Sequence, residues 1–167
     1  MIAVIPSFVS NSEAAMLTSM AESADETSWW NKNDGSWCGK RLSLDLQMLA
    51  QIRNRLNAMF DGHSRIGPLT AIQRFLQGQD MGPHRDDSGG SDISYGCIIY
   101  LNENYLGGEI HYPNHQIRIK PRTGMLIVHS ADENHLVTTI DSGTRYMLTT
   151  FIFSGSHGGI RFINGNT

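Results

Sequence analysis

The chain has 167 residues, a length that suits one domain with a sizeable core. Its formal net charge is −3, so no strong basic field invites nucleic acid or an anionic membrane, and no apolar run is long enough to span a bilayer. Two cysteines, Cys38 and Cys97, make no disulfide framework, and the N-terminus lacks the pattern of a signal peptide, so the expected location is cytoplasmic.

Residues 2–9 read as a short strand. Ser10 and Glu13 have capping-box spacing, and the helix they open, over 11–24, carries Ala14, Leu17, Met20 or Ala21, and Ala24 on one face. Residues 25–41 show no period and read as a long loop or broken hairpin. Its Trp29, Trp30 and Trp37 form either a substrate contact surface or a lid folded onto the core. A second helix is expected over 43–60 from Leu46, Leu49, Ile52, Leu56 and Met59, with Asp45 at its start, Gly62 at its stop and its Arg residues on a solvated face. From residue 66 the period changes. Strands are predicted over 69–76, 93–101, 109–112, 116–119, 125–129, 135–140 and 145–153, with a hairpin turn at Pro113-Asn114-His115. Strands at roughly ten-residue spacing predict a sandwich or barrel, and helices first and then strands predict an α+β arrangement with the N-terminal helices packed on one sheet. The whole chain, 1–167, is read as a single domain, with strand, helices and loop over 1–65 and the core over 66–155. The tail, 154–167, is Gly-rich and polar.

The chemistry centres on Gly82-Pro83-His84-Arg85-Asp86. On an extended strand residues i and i+2 share a face, so His84 and Asp86 can address one ion. Two His and one carboxylate, with other positions open, is the ligand pattern of non-haem Fe(II) oxygenases. His135 offers the second imidazole, and Arg145 follows it by ten residues. The plainer reading is a surface loop, since Pro83, Arg85, Asp87, Ser88, Gly89 and Gly90 all suit a turn. If the face shared by Arg145, Met147, Thr149 and Phe151 is the barrel interior, Arg145 is a buried cation that needs a partner, and its fork matches a carboxylate. The alternative is a surface Arg after a Ser-Gly turn. Of the other His, His129 in its apolar strand reads as a satisfied core residue, His111 and His115 as exposed beside the hairpin turn, and His63 and His157 as loop residues.

Taken in order, Gly82-Pro83-His84-Arg85-Asp86, Ile98-Ile99-Tyr100-Leu101-Asn102, Gly107-Gly108-Glu109-Ile110, Pro121-Arg122-Thr123-Gly124, His135-Leu136-Val137 and Gly143-Thr144-Arg145-Tyr146 make residues 69–153 resemble the prolyl 4-hydroxylase-like branch of the 2-oxoglutarate- and Fe(II)-dependent dioxygenases. The resemblance implies a jelly-roll core (a double-stranded β-helix) in which His84, Asp86 and His135 bind iron and form the catalytic centre. It implies that Arg145 and Tyr100 bind the distal carboxylate of 2-oxoglutarate, and that Ile98, Ile110 and Thr149 line the co-substrate pocket. Phe75 stands where many relatives carry a tyrosine and Phe151 where a tryptophan is common, which alters the expected shape of the substrate pocket.

The implied function is hydroxylation of a C–H bond, foremost of a peptidyl proline, using Fe(II), 2-oxoglutarate and O2, with ascorbate as reductant and release of succinate and CO2. The partner is then a proline-containing peptide or protein, held by the loops around 29–37 and 86–92. Two alternatives remain: a small-molecule hydroxylase acting on a free amino acid, and a non-catalytic cupin-like module that binds metal or ligand without turnover. A membrane or nucleic-acid partner is not expected.

Overall fold

The computed structural model describes residues 1–31, 39–45, 47–60, 65–87 and 92–153. Leu46, Trp37, Cys38, Gly62, His63, His157, Ser88 to Gly90 and the 154–167 tail, all named above, lie outside the described residues.

The chain opens with strand β1 (Ile2–Ile5) and helix α1 (Asn11–Ser23). The capping box forms as predicted: the Glu13 amide donates to the Ser10 hydroxyl (3.2 Å) and the Ser10 amide to the Glu13 carboxylate (2.8 Å). Such a cap is worth about 1 kcal/mol. Ala14, Leu17 and Ala21 are the buried face. The 25–41 stretch resolves towards the hairpin reading, since β2 (Trp29–Asn31) pairs antiparallel with β3 (Lys40–Ser43). Helix α2 spans Gln47–Asn57 and buries Leu49, Ile52 and Leu56. It is shorter than the 43–60 periodicity predicts, for reasons visible at both ends. Residues up to Ser43 are committed to β3, and the Leu44 amide donates to the Thr70 carbonyl (2.8 Å). After Asn57 the bonds tighten to Met59 on Leu56 and Phe60 on Asn57. Its arginines do more than face solvent: Arg53 donates to the Ile66 carbonyl (3.0 Å), and Arg55 pairs with Glu13 (2.9 Å), tying α2 to α1.

The strands that follow are β4 (Arg65–Ile66), β5 (Ala71–Phe75), β6 (Met81–His84), β7 (Ile93–Tyr100), β8 (Leu106–Gly107), β9 (Ile110–Tyr112), β10 (Ile117–Ile119), β11 (Leu126–Ser130), β12 (His135–Val137), β13 (Ile140–Ser142) and β14 (Arg145–Phe153). The major sheet runs β1-β11-β7-β14-β5-β3-β2, with β4 beside β14. A smaller sheet runs β10-β9-β12-β6, and β13 pairs with β8. The predicted 135–140 strand is therefore two strands. The ladder shifts register after His135, and the Ile140 amide leaves to bond the Gln79 carbonyl (2.9 Å).

The major sheet has two different faces. Its outer face carries Leu42, Ile72, Cys97, Ile99, Val128 and Leu148, which pack with Leu17, Ile52 and Leu56 of the two helices. Each such side chain, fully buried, contributes roughly 1.5–3 kcal/mol. Its inner face carries Phe75, Tyr100, Ile127 and Met147, which meet Ile110 and Tyr112 of the smaller sheet. This is the α+β jelly-roll arrangement read from the sequence, with the helices on one sheet. Among the described residues no helix is long and apolar enough to cross a membrane.

Candidate metal and co-substrate site

Strand pairing builds the first half of the site. His135 on β12 sits directly opposite His84 on β6, and the two imidazoles lie 4.2 Å apart between ring centroids. Each ring has its Nδ1 tied to a backbone carbonyl: His84 to Gly82 (2.9 Å) and His135 to Glu133 (3.0 Å). A carbonyl only accepts, so each Nδ1 carries the proton and each Nε2 keeps a free lone pair. Asp86 is not on the strand. β6 ends at His84, and Asp86 sits in the following turn, where its amide donates to the Ala131 carbonyl (2.9 Å). The turn still brings Asp86 Oδ1 to 3.9 Å from His84 Nε2. One ligand atom from each of His84, Asp86 and His135 lies within 4.8 Å of the others, as a shared ion requires.

The electrostatics favour the binding-competent forms. Burial opposes the Asp86 charge, but the hydrogen bond from His129 and the fields of His129, His135 and His84 outweigh it and hold the carboxyl below its usual range. Burial, then the neighbouring His129, push His135 down to about 4, so its ring is neutral near pH 7.

The second half lies deeper between the sheets. Arg145, at the start of β14, is completely buried. It donates from Nη1 to the Gly108 carbonyl (3.2 Å) and stacks on the Phe75 ring at 4.4 Å. Gly108 has φ +64°, and a Cβ there would come to 2.4 Å from Ile140 Cδ1, so this carbonyl needs a glycine to reach its place. Asn102 clamps the strand start: its side-chain amide donates to the Thr144 carbonyl (2.7 Å), and its oxygen accepts from the Tyr146 amide (2.8 Å). The Leu101-Asn102 motif thus has a structural task, namely aiming β14 so that Arg145 points inward. Tyr100 and Tyr105 are both buried in the Arg145 field, and neither hydroxyl has a hydrogen-bond partner among the described residues. Burial pushes the Tyr100 phenol up to about 12 against the pull of Arg145, so it stays a neutral donor. A buried guanidinium beside two spare phenols can take up a carboxylate.

The remaining expected residues fall on the same inner lining. Ile110 is fully buried, Ile98 is half-buried opposite Thr149, and Thr149 accepts a hydrogen bond from Gln73. The tryptophans divide. Trp29 packs into the outer core beside Tyr146 and under Arg74, which suits the lid reading and not a substrate contact. Trp30 is exposed. Of the other His, His115 is exposed but bonded to Glu133 (2.9 Å), and His111 is half-buried. His129 is buried and satisfied, as read from its apolar strand, but its partners are Tyr112 and the site carboxylate Asp86. Sequence reasoning missed that link, along with Tyr105 and Tyr112. For Tyr105 a signal existed in its position just before Gly107-Gly108. For the His129–Asp86 pair none did.

Solved structures share the fold. A Pseudomonas putida prolyl-4-hydroxylase aligns with TM-score 0.70 at 15% identity, over 93% of this chain and 93% of that one. A Trichoplax adhaerens prolyl hydroxylase in complex with a hypoxia-inducible factor oxygen degradation domain peptide fragment aligns with TM-score 0.69 at 17% identity, over 92% and 83%. The viral collagen prolyl hydroxylase of Paramecium Bursaria Chlorella virus-1, in its 2-oxoglutarate complex, aligns with TM-score 0.68 at 15% identity, over 92% and 96%. No curated protein matches the chain by sequence. The profile of the 2OG-Fe(II) oxygenase superfamily matches residues 70–153, half of the sequence and the span that carries His84, Asp86, His135 and Arg145. The chain belongs to the 2OG-Fe(II) oxygenase superfamily.

Proposed function

We propose that the protein is a dioxygenase that hydroxylates a peptidyl proline, with His84, Asp86 and His135 holding Fe(II) and with Arg145 and Tyr100 holding the far carboxylate of 2-oxoglutarate. The observation that carries this reading is the β6–β12 register, which sets His84 against His135 with both Nδ1 atoms bonded to backbone carbonyls and one ligand atom from each ring within 4.8 Å of one from Asp86. The donor set fits the metal: two neutral imidazoles and one carboxylate suit Fe(II) and leave positions open. The inner lining fits the co-substrate, since the Tyr100 hydroxyl is buried beside Arg145 with no hydrogen-bond partner among the described residues. When bound, iron with 2-oxoglutarate and O2 supplies the oxidising power for C–H hydroxylation, with release of succinate and CO2. The chain's own residues orient. Arg145 and Tyr100 fix one end of the co-substrate, Ile98, Ile110 and Thr149 shape its channel, and the aromatic lining excludes water.

A peptide substrate is supported by the named activities of the structural relatives and by the site face itself. Cross-strand register places Tyr100, Met147, Gln73, Arg41 and Trp30 on one face, from the site to the outer edge of the major sheet. At that edge Arg41 lies over the exposed Trp30 ring at 5.6 Å. A flat aromatic surface with a cation beside it suits a prolyl ring and the carbonyls of an extended peptide. The test is incubation with Fe(II), 2-oxoglutarate and ascorbate and a panel of proline-rich peptides. A peptide product heavier by one oxygen atom, with stoichiometric succinate, is the expected result. Succinate that no peptide stimulates would move the substrate to small molecules such as free amino acids. Iron binding without succinate would leave a non-catalytic binding module.

A further inference from the structure

We propose that His129 is a positioning residue that holds Asp86 as a one-oxygen ligand and so keeps a coordination position open at the metal; the proposal rests on the iron-site reading above. Asp86 divides its two oxygens. Oδ1 faces His84 Nε2 at 3.9 Å, whereas Oδ2 is 2.8 Å from His129 Nε2. A carboxylate only accepts, so His129 Nε2 carries the proton and donates. The Nδ1 of that ring shares a hydrogen bond of 2.6 Å with the Tyr112 hydroxyl. Both rings are buried, His129 to 1% exposure and Tyr112 to 0%. The chain of bonds runs Tyr112 to His129 to Asp86, from the smaller sheet to the major sheet and back to the turn after β6.

A third residue shows that the bond needs space made for it. His129 on β11 sits opposite Gly96 on β7. A Cβ at Gly96 would lie 2.3 Å from Asp86 Oδ2 and 2.3 Å from His129 Nε2, inside any tolerable contact. Any larger residue at position 96 would therefore occupy the place where donor and acceptor meet. The turn that carries Asp86 has two backbone anchors of its own, both to the Ala131 carbonyl, and they fix the main chain without fixing the carboxylate's rotation. The His129 bond acts on the carboxylate itself.

The consequence is coordination number. Asp86 engaged through Oδ1 alone uses one position, and with His84 and His135 it leaves three. A carboxylate free to swing both oxygens onto the ion would use a fourth and crowd out either the co-substrate or O2. Partners of metal ligands typically change affinity or activity by about 10–100-fold when removed.

Co(II) binding tests this without turnover, using the purified chain, with affinity and the ligand-field absorption spectrum as readouts and circular dichroism to establish folding. His129→Phe, which keeps an aromatic ring and removes the donor, should weaken Co(II) by about 10–100-fold and change its spectrum. His129→Gln, whose amide can donate to Asp86 and accept from Tyr112, should restore most of both. Gly96→Ala should reproduce the His129→Phe spectrum. A folded His129→Phe protein with wild-type affinity and spectrum overturns the proposal. So does complete loss of Co(II), equal to that of His84→Ala, since His129 would then be a ligand itself. Should His129→Phe not fold, Tyr112→Phe removes one oxygen atom only, and an unchanged Co(II) spectrum there overturns the proposal equally. Wild-type protein that binds no Co(II) would instead contradict the metal-site reading beneath it.

Discussion

Along β14, neighbouring residues live in different surroundings. Tyr146, Leu148 and Ile152 point outward into the cluster shared with the two helices. Arg145 and Met147 point inward among Phe75, Tyr100 and Ile110. The outward face is apolar apart from the Tyr146 and Thr150 hydroxyls, and it holds the fold together. The inward face includes a buried cation, buried phenols without partners among the described residues, and a polar pair in Gln73 and Thr149. Polar groups in such a place cost stability unless something satisfies them. One strand thus stabilises the fold with one set of side chains and lines the candidate site with the other. Substitutions on the two faces should separate into stability effects and activity effects.

The largest expected effect is at the site. His84→Ala should abolish both metal binding and succinate production with the fold retained, because the ring is partly exposed and supports no core. Metal titration and circular dichroism check this, and turnover by the variant would remove His84 from the centre. Next, Arg145→Ala should raise the 2-oxoglutarate requirement by about a hundredfold or more, as expected when one partner of a buried ion pair is deleted. Iron affinity should stay close to wild type, so direct 2-oxoglutarate binding to the metal-loaded variant distinguishes a lost carboxylate contact from a lost metal site. On the other face, Leu148→Ala should cost about 2–5 kcal/mol in denaturant unfolding while leaving the 2-oxoglutarate requirement of the folded protein unchanged. A change in that requirement would mean that the two faces are not separable. Tyr100→Phe is a smaller perturbation, with about a tenfold rise in the 2-oxoglutarate requirement, the scale of one hydrogen bond to a charged group.

The smallest expected effect is an acid sensitivity of the metal-free protein. His135 is held at about 4 when folded, against an ordinary value of 6.5. Between those values the unfolded chain binds a proton there that the folded chain does not, so stability rises with pH across the window. It should therefore be complete above pH 6.5 and fall as the pH drops towards 4. Thermal midpoints measured at pH 7.5 and pH 5 read this, and the loss should vanish in His135→Phe.

The distribution of these features explains what the sequence could and could not reveal. The apolar run of β7, the shared face of Arg145, Met147 and Thr149 on β14, and the capping box of α1 are local in the chain, and each appears where its pattern places it. β6 was harder to recognise because Gly82-Pro83 reads as turn chemistry, yet it pairs as a strand through Met81 and His84. The divided β12 and β13 segment depends on a carbonyl from Gln79, far away in sequence. The Asp86–His129 bond and the need for Gly96 arise only when β7 and β11 pair and the β6 turn folds over them. Residue type pointed to the candidate ligands, but the partners that orient them emerge only from tertiary register.

The most direct test of the central claim is succinate formation from 2-oxoglutarate by Fe(II)-loaded wild-type protein, measured beside His84→Ala and Arg145→Ala under identical conditions. The account predicts succinate from wild type, none from His84→Ala, and recovery by Arg145→Ala only at greatly raised 2-oxoglutarate. Wild-type protein shown to hold iron but forming no succinate, or equal succinate from all three, would contradict it.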